Sequence, residues 1–450
     1  MPTSGNLRAV VRRRDFRRLF ATRLTSQLAD GVFQASLAGS VFFNPDKQAD
    51  PMAVALGFAV LILPYSVVGP FAGVFLDRVR RRHVLVLANV VRAATVPAVA
   101  ALIWAGREDG LFYLTALAVM SVNRFFLSGL SASLPHVVDA DRLVTANSLS
   151  TTAGTLAFTT GGGVALGLLT VTGQGNHGYA LVAAVSVVGY LVSAAAARGF
   201  RADQLGPDDS ARVARASARD MARAVTDVVR GMAAGARHVA GRRGAGYLLL
   251  VLGAHRLLFG VSLIATLLLY RNYFTDGPVF RAGLTGLGQV FVAGALGALV
   301  AAAVTPWVVR HVAPRNWVTG LLLAAAVVEV ALGFPYLPPA MVAASFAVGV
   351  VSQGLKIVTD TAVQLECDDD FQGRVFSLYD TLFNGAMVIG LLIGALALPE
   401  TGRSYVVLGA VAVGYAVVGA TYAWAASRWY RRQPVPAAGD PVTATTLRAG

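Results

Sequence analysis

Apolar residues in this chain gather into long blocks separated by short polar links. Crossing the hydrocarbon core of a bilayer takes about 20 largely apolar residues in helical form. Twelve blocks meet that need, beginning near Leu19, Pro51, His83, Leu111, Leu143, Gly178, Gly246, Gly283, Asn316, Ala340, Val375 and Ser404. One link is much longer than the rest. Gly199 to Gly244 joins the sixth span to the seventh and is rich in arginine. The pattern predicts an all-α integral membrane protein of twelve transmembrane helices in two pseudo-symmetric six-helix bundles. Residues 1–198 form the first bundle, 199–244 a cytoplasmic link, 245–430 the second bundle and 431–450 a cytoplasmic tail.

Composition supports lipid as the main solvent. Of the 450 residues 56% are hydrophobic and 14% charged, where soluble domains carry about 25% charge. The net charge of +14 on a soluble chain would suggest nucleic acid. Here the arginines cluster between apolar runs, so no nucleic acid is expected. One side of the predicted membrane holds Arg12–Arg14, Arg78, Arg80–Arg82, Arg142, the long link, Arg310, Arg315, Arg374 and Arg428. The other holds only Lys47, Arg107, Arg271, Arg281 and Arg403. Basic loops stay on the cytoplasmic side, which places both termini inside, in a plasma or bacterial inner membrane. The first apolar run continues to about Phe43 and is too long for a cleaved signal, so it is read as a retained span.

Within the link, Arg212, Arg215, Arg219 and Arg223 recur at helical spacing, with Val213, Met221, Val225, Val228 and Met232 supplying apolar patches. The pattern fits a basic amphipathic helix on anionic lipid head groups or a solvated linker helix. Cys367 is the only cysteine and the six histidines are scattered. No metal, no cofactor, no nucleotide loop and no catalytic triad is expected, and the chain is expected not to be an enzyme. A monomer is expected.

Charges inside spans are costly and are functional candidates by default. Four acids (Asp30, Glu329, Asp360, Asp380) and four bases (Arg92, Arg124, Arg256, Lys356) fall there. Equal numbers suggest pairing inside the bundles. Asp30 lies near mid-span, with Gln27 and Gln34 on the same helix, where a carboxyl either carries a coupled proton or stays paired with Arg124 or Arg92. Gln353, Lys356, Asp360 and Gln364 make one polar stripe on the tenth span, and Asp380 and Asn384 a shorter one on the eleventh. With Arg256 they form either a gate or proton relay, or a fixed salt-bridge network. Proton-coupling candidates are therefore Asp30, Arg124, Asp360 and Asp380. Substrate-cavity candidates are Gln27, Gln34, Asn123, Arg256, Lys356 and Asn384.

The two halves repeat. Leu134-Pro-His-Val-Val-Asp-Ala-Asp-Arg-Leu precedes the fifth span, and Leu365-Glu-Cys-Asp-Asp-Asp-Phe-Gln-Gly-Arg precedes the eleventh. Glycine-rich stretches follow both, at Gly161–Gly163 and Gly390–Gly394. Repeated halves build a site between two bundles in transporters. After the second span comes Gly73-Val-Phe-Leu-Asp77-Arg78-Val-Arg80-Arg81-Arg82. This resembles the signature loop of the major facilitator superfamily, Gly-x-x-x-Asp-Arg-x-Gly-Arg-Arg, with Arg80 in place of its second glycine.

The resemblance runs from about Phe16 to Trp429 and is nearest the macrolide-efflux and enterobactin-exporter branch, the drug-proton antiporters of type three. Ser26-Gln-Leu-Ala-Asp30-Gly31, Asp141-Arg-Leu-Val-Thr-Ala-Asn147 and Gly373-Arg374-Val-Phe-Ser-Leu carry it. Lys356-Ile-Val-Thr-Asp360-Thr-Ala-Val-Gln364 is similar to actinobacterial relatives. Asn123-Arg124 resembles the arginine of the family's fourth span, though Gly129 stands one position late. The resemblance implies a small-molecule substrate, alternating access and proton-coupled export of a hydrophobic or amphiphilic compound. It also implies a gating latch at Gly73, Asp77, Arg78 and Arg81. An uptake permease or facilitator of the same fold is the alternative. Thr159-Thr160-Gly161-Gly162-Gly163 lacks the proline that antiporters carry in this span.

Overall fold

The computed structural model describes residues 10–44, 50–69, 71, 79–107, 109–139, 142–206 and 218–430. The helices are α1 (Arg14–Phe42), α2 (Pro51–Val67), α3 (Arg81–Trp104), α4 (Gly110–Ser133), α5 (Leu143–Thr172) and α6 (Asn176–Arg198). The link helix α7 (Ala218–Gly241) follows. Then come α8 (Arg243–Asn272), α9 (Gly283–His311), α10 (Pro314–Val328), α11 (Pro338–Glu366), α12 (Asp369–Ala397) and α13 (Tyr405–Tyr430). A π-helical turn, Glu329–Gly333, continues α10. No strand occurs among the described residues. Several helices open before the apolar run that predicts them: Arg81 against His83, Arg243 against Gly246, Asp369 against Val375. A helix continues past the hydrocarbon into the polar interface, and α10 and α11 start at prolines, whose missing N–H is no loss in a first turn.

Ten of the described helices are long and apolar enough to cross a membrane, and Pro51–Pro64 is a shorter apolar one. The 29-residue α1 is about 43 Å long at 1.5 Å per residue, but it is more polar. The reason is visible in its packing. Thr22, Ser26, Asp30, Ser36 and Ser40 are all buried, so its polar side faces protein. Lipid-facing surface shows the reverse: Val171 is 86% and Val406 82% exposed, while Arg92 is 0% exposed. With lipid as solvent, exposed apolar side chains are at ease and polar groups gather inside. Trp307 and Trp424 are exposed, as anchors at a membrane interface are.

Two compact units are present: Met1–Gln48 with Leu56–Arg230, and Ala49–Ala55 with Gly231–Gly450. The division falls at Arg230, within the link. In the first unit α1 packs on α5 and α6, and α3 on α4 and α6. In the second, α8 packs on α12 and α11, α9 on α11, and α10 on α13. The helix crossings match. Gly31 of α1 meets Gly161 of α5 so closely that a Cβ on Gly31 would lie 2.0 Å from the Phe158 carbonyl oxygen. Gly260 of α8 meets Gly390 of α12, where a Cβ on Gly390 would lie 2.0 Å from the Leu257 oxygen. Small residues let helices in lipid approach this far.

The polar turns between spans also match. Before α5, Asp139 pairs with Arg13, which precedes α1. Before α12, Asp368 takes a 2.8 Å bond from Arg242, which precedes α8, and Glu366 accepts the Ala245 N–H at 2.9 Å. Part of α7 docks on this second turn. His238 stacks on Phe371 with centroids 4.3 Å apart, and Val239 is buried. Arg212 and Arg215 lie outside the described residues. Arg223, Val229 and Arg230 are exposed on α7, and Arg237 is exposed further along it.

Candidate functional site

The densest polar cluster lies inside the first unit. Arg92 of α3 donates from Nη1 to Asp30 Oδ1 at 2.7 Å and to Asn123 Oδ1 at 2.9 Å. Its Nη2 donates to Ser26 Oγ at 2.8 Å and to Asn89 Oδ1. The guanidinium lies 4.4 Å from the Tyr190 ring centre and 4.8 Å from that of Phe126. Tyr190 donates its hydroxyl to Asp30 Oδ1 at 2.8 Å. Asn89 gives Ser193 a 2.8 Å bond, and Ser193 donates to the Thr22 carbonyl. Four helices, α1, α3, α4 and α6, are tied at one point. Burial of an ion pair is tolerable when hydrogen bonds satisfy what the pair leaves over. Here Asp30 Oδ2 is buried with no hydrogen-bond partner among the described residues.

Of the two bases open to Asp30, Arg92 is the partner. Arg124 lies beside Gly69, with Nε 3.3 Å from where a Cβ there would stand. Asn123, a cavity candidate, is 4% exposed and belongs to the Arg92 cluster. Gln27 accepts a 2.9 Å bond from Arg23, and Gln34 is half-buried.

The second unit holds a half-open cavity of about 280 Å³ lined by α8, α9, α11, the π turn and Leu408 of α13. Its walls are mainly apolar, with Arg256, Ser262, Thr266, Glu329, Ser345, Ser352 and Gln353 as polar members. Arg256 lies 3.9 Å from the Phe383 ring centre and donates to the Phe383 carbonyl at 3.4 Å. Glu329 is 7% exposed, and its Oε1 accepts a 2.6 Å bond from Ser262. Behind the wall, buried His255 bridges Ser352 Oγ at 2.8 Å and the Tyr415 hydroxyl at 3.1 Å. A neutral imidazole donates at one nitrogen and accepts at the other, so both ring nitrogens are satisfied. Sequence spacing did not single out His255, which sits alone in an apolar run. Glu329 counted among the acids in spans, but no neighbouring polar stripe drew attention to it.

The tenth-span stripe lies along α11. Lys356 Nζ and Asp360 Oδ2 are 2.5 Å apart, an i,i+4 pair, and Lys356 lies 5.6 Å from the Tyr379 ring centre. Asp380 is exposed, and Asn384 donates to its carbonyl at 2.9 Å rather than to its carboxylate. Arg256 engages Phe383 and Met387 of α12. Of the signature loop, Gly73, Asp77 and Arg78 lie outside the described residues. Arg81 is described: it donates to the carbonyls of Ala132 at 2.9 Å and Leu205 at 3.3 Å. It thus ties the start of α3 to the end of α4 and to the segment after α6.

The family model for the Major Facilitator Superfamily matches residues 19–390. Uncharacterized MFS-type transporters of Mycobacterium bovis and Mycobacterium tuberculosis are each 37% identical over 393 residues, which is 87% of this chain and 86% of theirs. Among solved structures, a POT family transporter in complex with a thioalcohol-conjugated peptide superposes with a TM-score of 0.64 at 12% identity. That match covers 92% of this chain and 96% of the other. The nucleoside transporter NupG, as a mutant, superposes at 0.61 with 13% identity, over 92% and 99%. These likenesses concern the fold.

Proposed function

The chain belongs to the major facilitator superfamily and is a multi-pass membrane transporter, and on that premise we propose that it exports a hydrophobic or amphiphilic small molecule by proton-coupled alternating access. The observation that carries this reading is the placement of Asp30. Its Oδ1 takes both the Arg92 and Tyr190 bonds, which leaves Oδ2 to accept a proton. Shifts in the Arg92 contact as the bundle moves then load or release that proton. The mainly apolar cavity with a few convergent polar groups supports an amphiphilic substrate, since small-molecule sites combine an apolar lining with sparse polar groups. The drug-proton antiporter branch is the part of the family that this reading favours.

The test uses purified protein in vesicles with a lipophilic fluorescent dye, with and without a pH gradient. Wild type is expected to concentrate dye only when the gradient is imposed. Asp30→Asn is expected to lose at least tenfold of that gradient-driven movement while still binding dye. Equal flux with and without the gradient would indicate a facilitator. Gradient-driven accumulation by Asp30→Asn would leave Asp30 a structural role only and turn attention to Asp360 and Asp380.

The arginine asymmetry further supports a cytoplasmic location for both termini and the 199–244 link, with the exposed Arg223 and Arg230 available to anionic lipid. Reporter fusions at Gly206 and at the C-terminus are expected to be active only as cytoplasmic fusions. External activity at either would overturn the orientation.

A further inference from the structure

We propose that the Glu329 carboxyl is a second proton-binding site, opening on the cavity of the second unit. The four acids of the spans differ in one respect. Asp30 is paired with Arg92 and Asp360 with Lys356, while Asp380 is exposed. Glu329 is buried and forms no ion pair among the described residues. An ionised carboxylate withdrawn from water and left without a counter-charge is strongly disfavoured, and such a group takes up a cation or a proton.

The surroundings select the proton. Ser262 directs its hydrogen to Oε1, leaving Oε2 as the basic oxygen. Gly333 lies beside Oε2, at ordinary contact distance: a Cβ there would stand 3.7 Å from it. A bare metal cation needs several oxygens around it. Among the described residues no group of three His, Cys, Asp or Glu side chains gathers to hold one, and Glu329 is the only carboxylate on the cavity wall. Glu329 also opens the π-helical turn, a distortion that recurs at functional sites because it re-aims a side chain and frees backbone groups.

The groups around it are few. From α8, Arg256 lines the same cavity, though it lies against Phe383 of α12. From α13, Tyr415 is near enough to feel the charge, as is Tyr336 beyond the π turn. Neither α9 nor α11 contributes a charged side chain to the cavity wall. A proton reaching Glu329 therefore enters through the cavity, and a substrate filling the cavity would control its exchange. That last role rests on the transporter reading, while proton binding itself does not.

The experiment is infrared difference spectroscopy of the purified full-length protein across a pH titration, following the stretch of protonated carboxyl groups. Wild type is expected to show a band that shifts in deuterated water and disappears as pH rises. With Asp30 also binding a proton, two components are expected: Glu329→Gln should lose the one that Asp30→Asn keeps, and Asp30→Asn should lose the other. Ser262→Ala, which leaves the carboxyl in place, should keep the Glu329 component but move its midpoint; this arm serves if Glu329→Gln does not fold. An undiminished titrating band in Glu329→Gln, or no change of midpoint in Ser262→Ala, would overturn the assignment. So would loss of the Glu329 component on adding sodium at constant pH, which would make the ligand a metal cation. The vesicle assay is independent: transport without this component would refute the Glu329 site and leave the transporter reading standing.

Discussion

Replacing Arg92 by alanine is expected to cost about 3–5 kcal/mol of stability, the range for removing one partner of a buried ion pair. The loss has several sources. Asp30 would remain buried with only the Tyr190 hydroxyl, and Asn123, Asn89 and Ser26 would each lose a charged donor. The truncated side chain would also leave a void between the Phe126 and Tyr190 rings. Asp30→Asn should be milder, because Arg92 would keep three neutral acceptors and two aromatic faces. Thermal unfolding of the purified protein in detergent measures the order. Wild type should be most stable, Asp30→Asn intermediate and Arg92→Ala lowest. Arg92→Ala within about 1 kcal/mol of wild type, the size of one ordinary hydrogen bond, would show that the cluster does not close the bundle.

The same cluster marks how far one-dimensional pattern reaches. Block lengths of apolar residues give the helices nearly to their ends, because lipid demands long uninterrupted runs. The i,i+4 pair of Lys356 and Asp360 was legible because both residues share a helix. Which base meets Asp30 was not, since Arg92 and Arg124 stand on different helices whose rotation is set by packing. Rotation also decides that Asn123 faces Arg92 inside the first unit. Glu329 and His255 carry no periodic signal. Their partners, Ser262 on α8 for one and Ser352 and Tyr415 on α11 and α13 for the other, are remote in sequence. The low hydropathy of α1 is the converse case: its polar residues read as a poor span and are in fact its inward face.

The glycine stretch of α5 yields the second large effect, and it separates packing from composition. Gly161, Gly162 and Gly163 look alike in sequence and differ in space. A Cβ on Gly161 would stand 2.1 Å from the Leu28 carbonyl oxygen of α1, while Gly162 and Gly163 have nothing within 4 Å of theirs. The obstruction at Gly161 is backbone, so no rotamer change relieves it and α1 and α5 must move apart. Overpacking of this kind costs about 1–3 kcal/mol. That separation would also strain the α1 side of the Asp30 cluster, which begins one residue before Gly31. Gly163→Ala meets open space and exchanges glycine for the better helix former, a difference of about 1 kcal/mol in favour of alanine. Gly161→Ala is therefore expected to lower the unfolding temperature, and Gly163→Ala to leave it unchanged or raise it. The matching position, Gly390 in α12, should behave like Gly161, because a Cβ there meets the Leu257 oxygen at 2.0 Å. Equal effects at Gly161 and Gly163 would mean that the α1–α5 crossing is looser than these contacts require, and that the glycines serve helix flexibility instead of close approach.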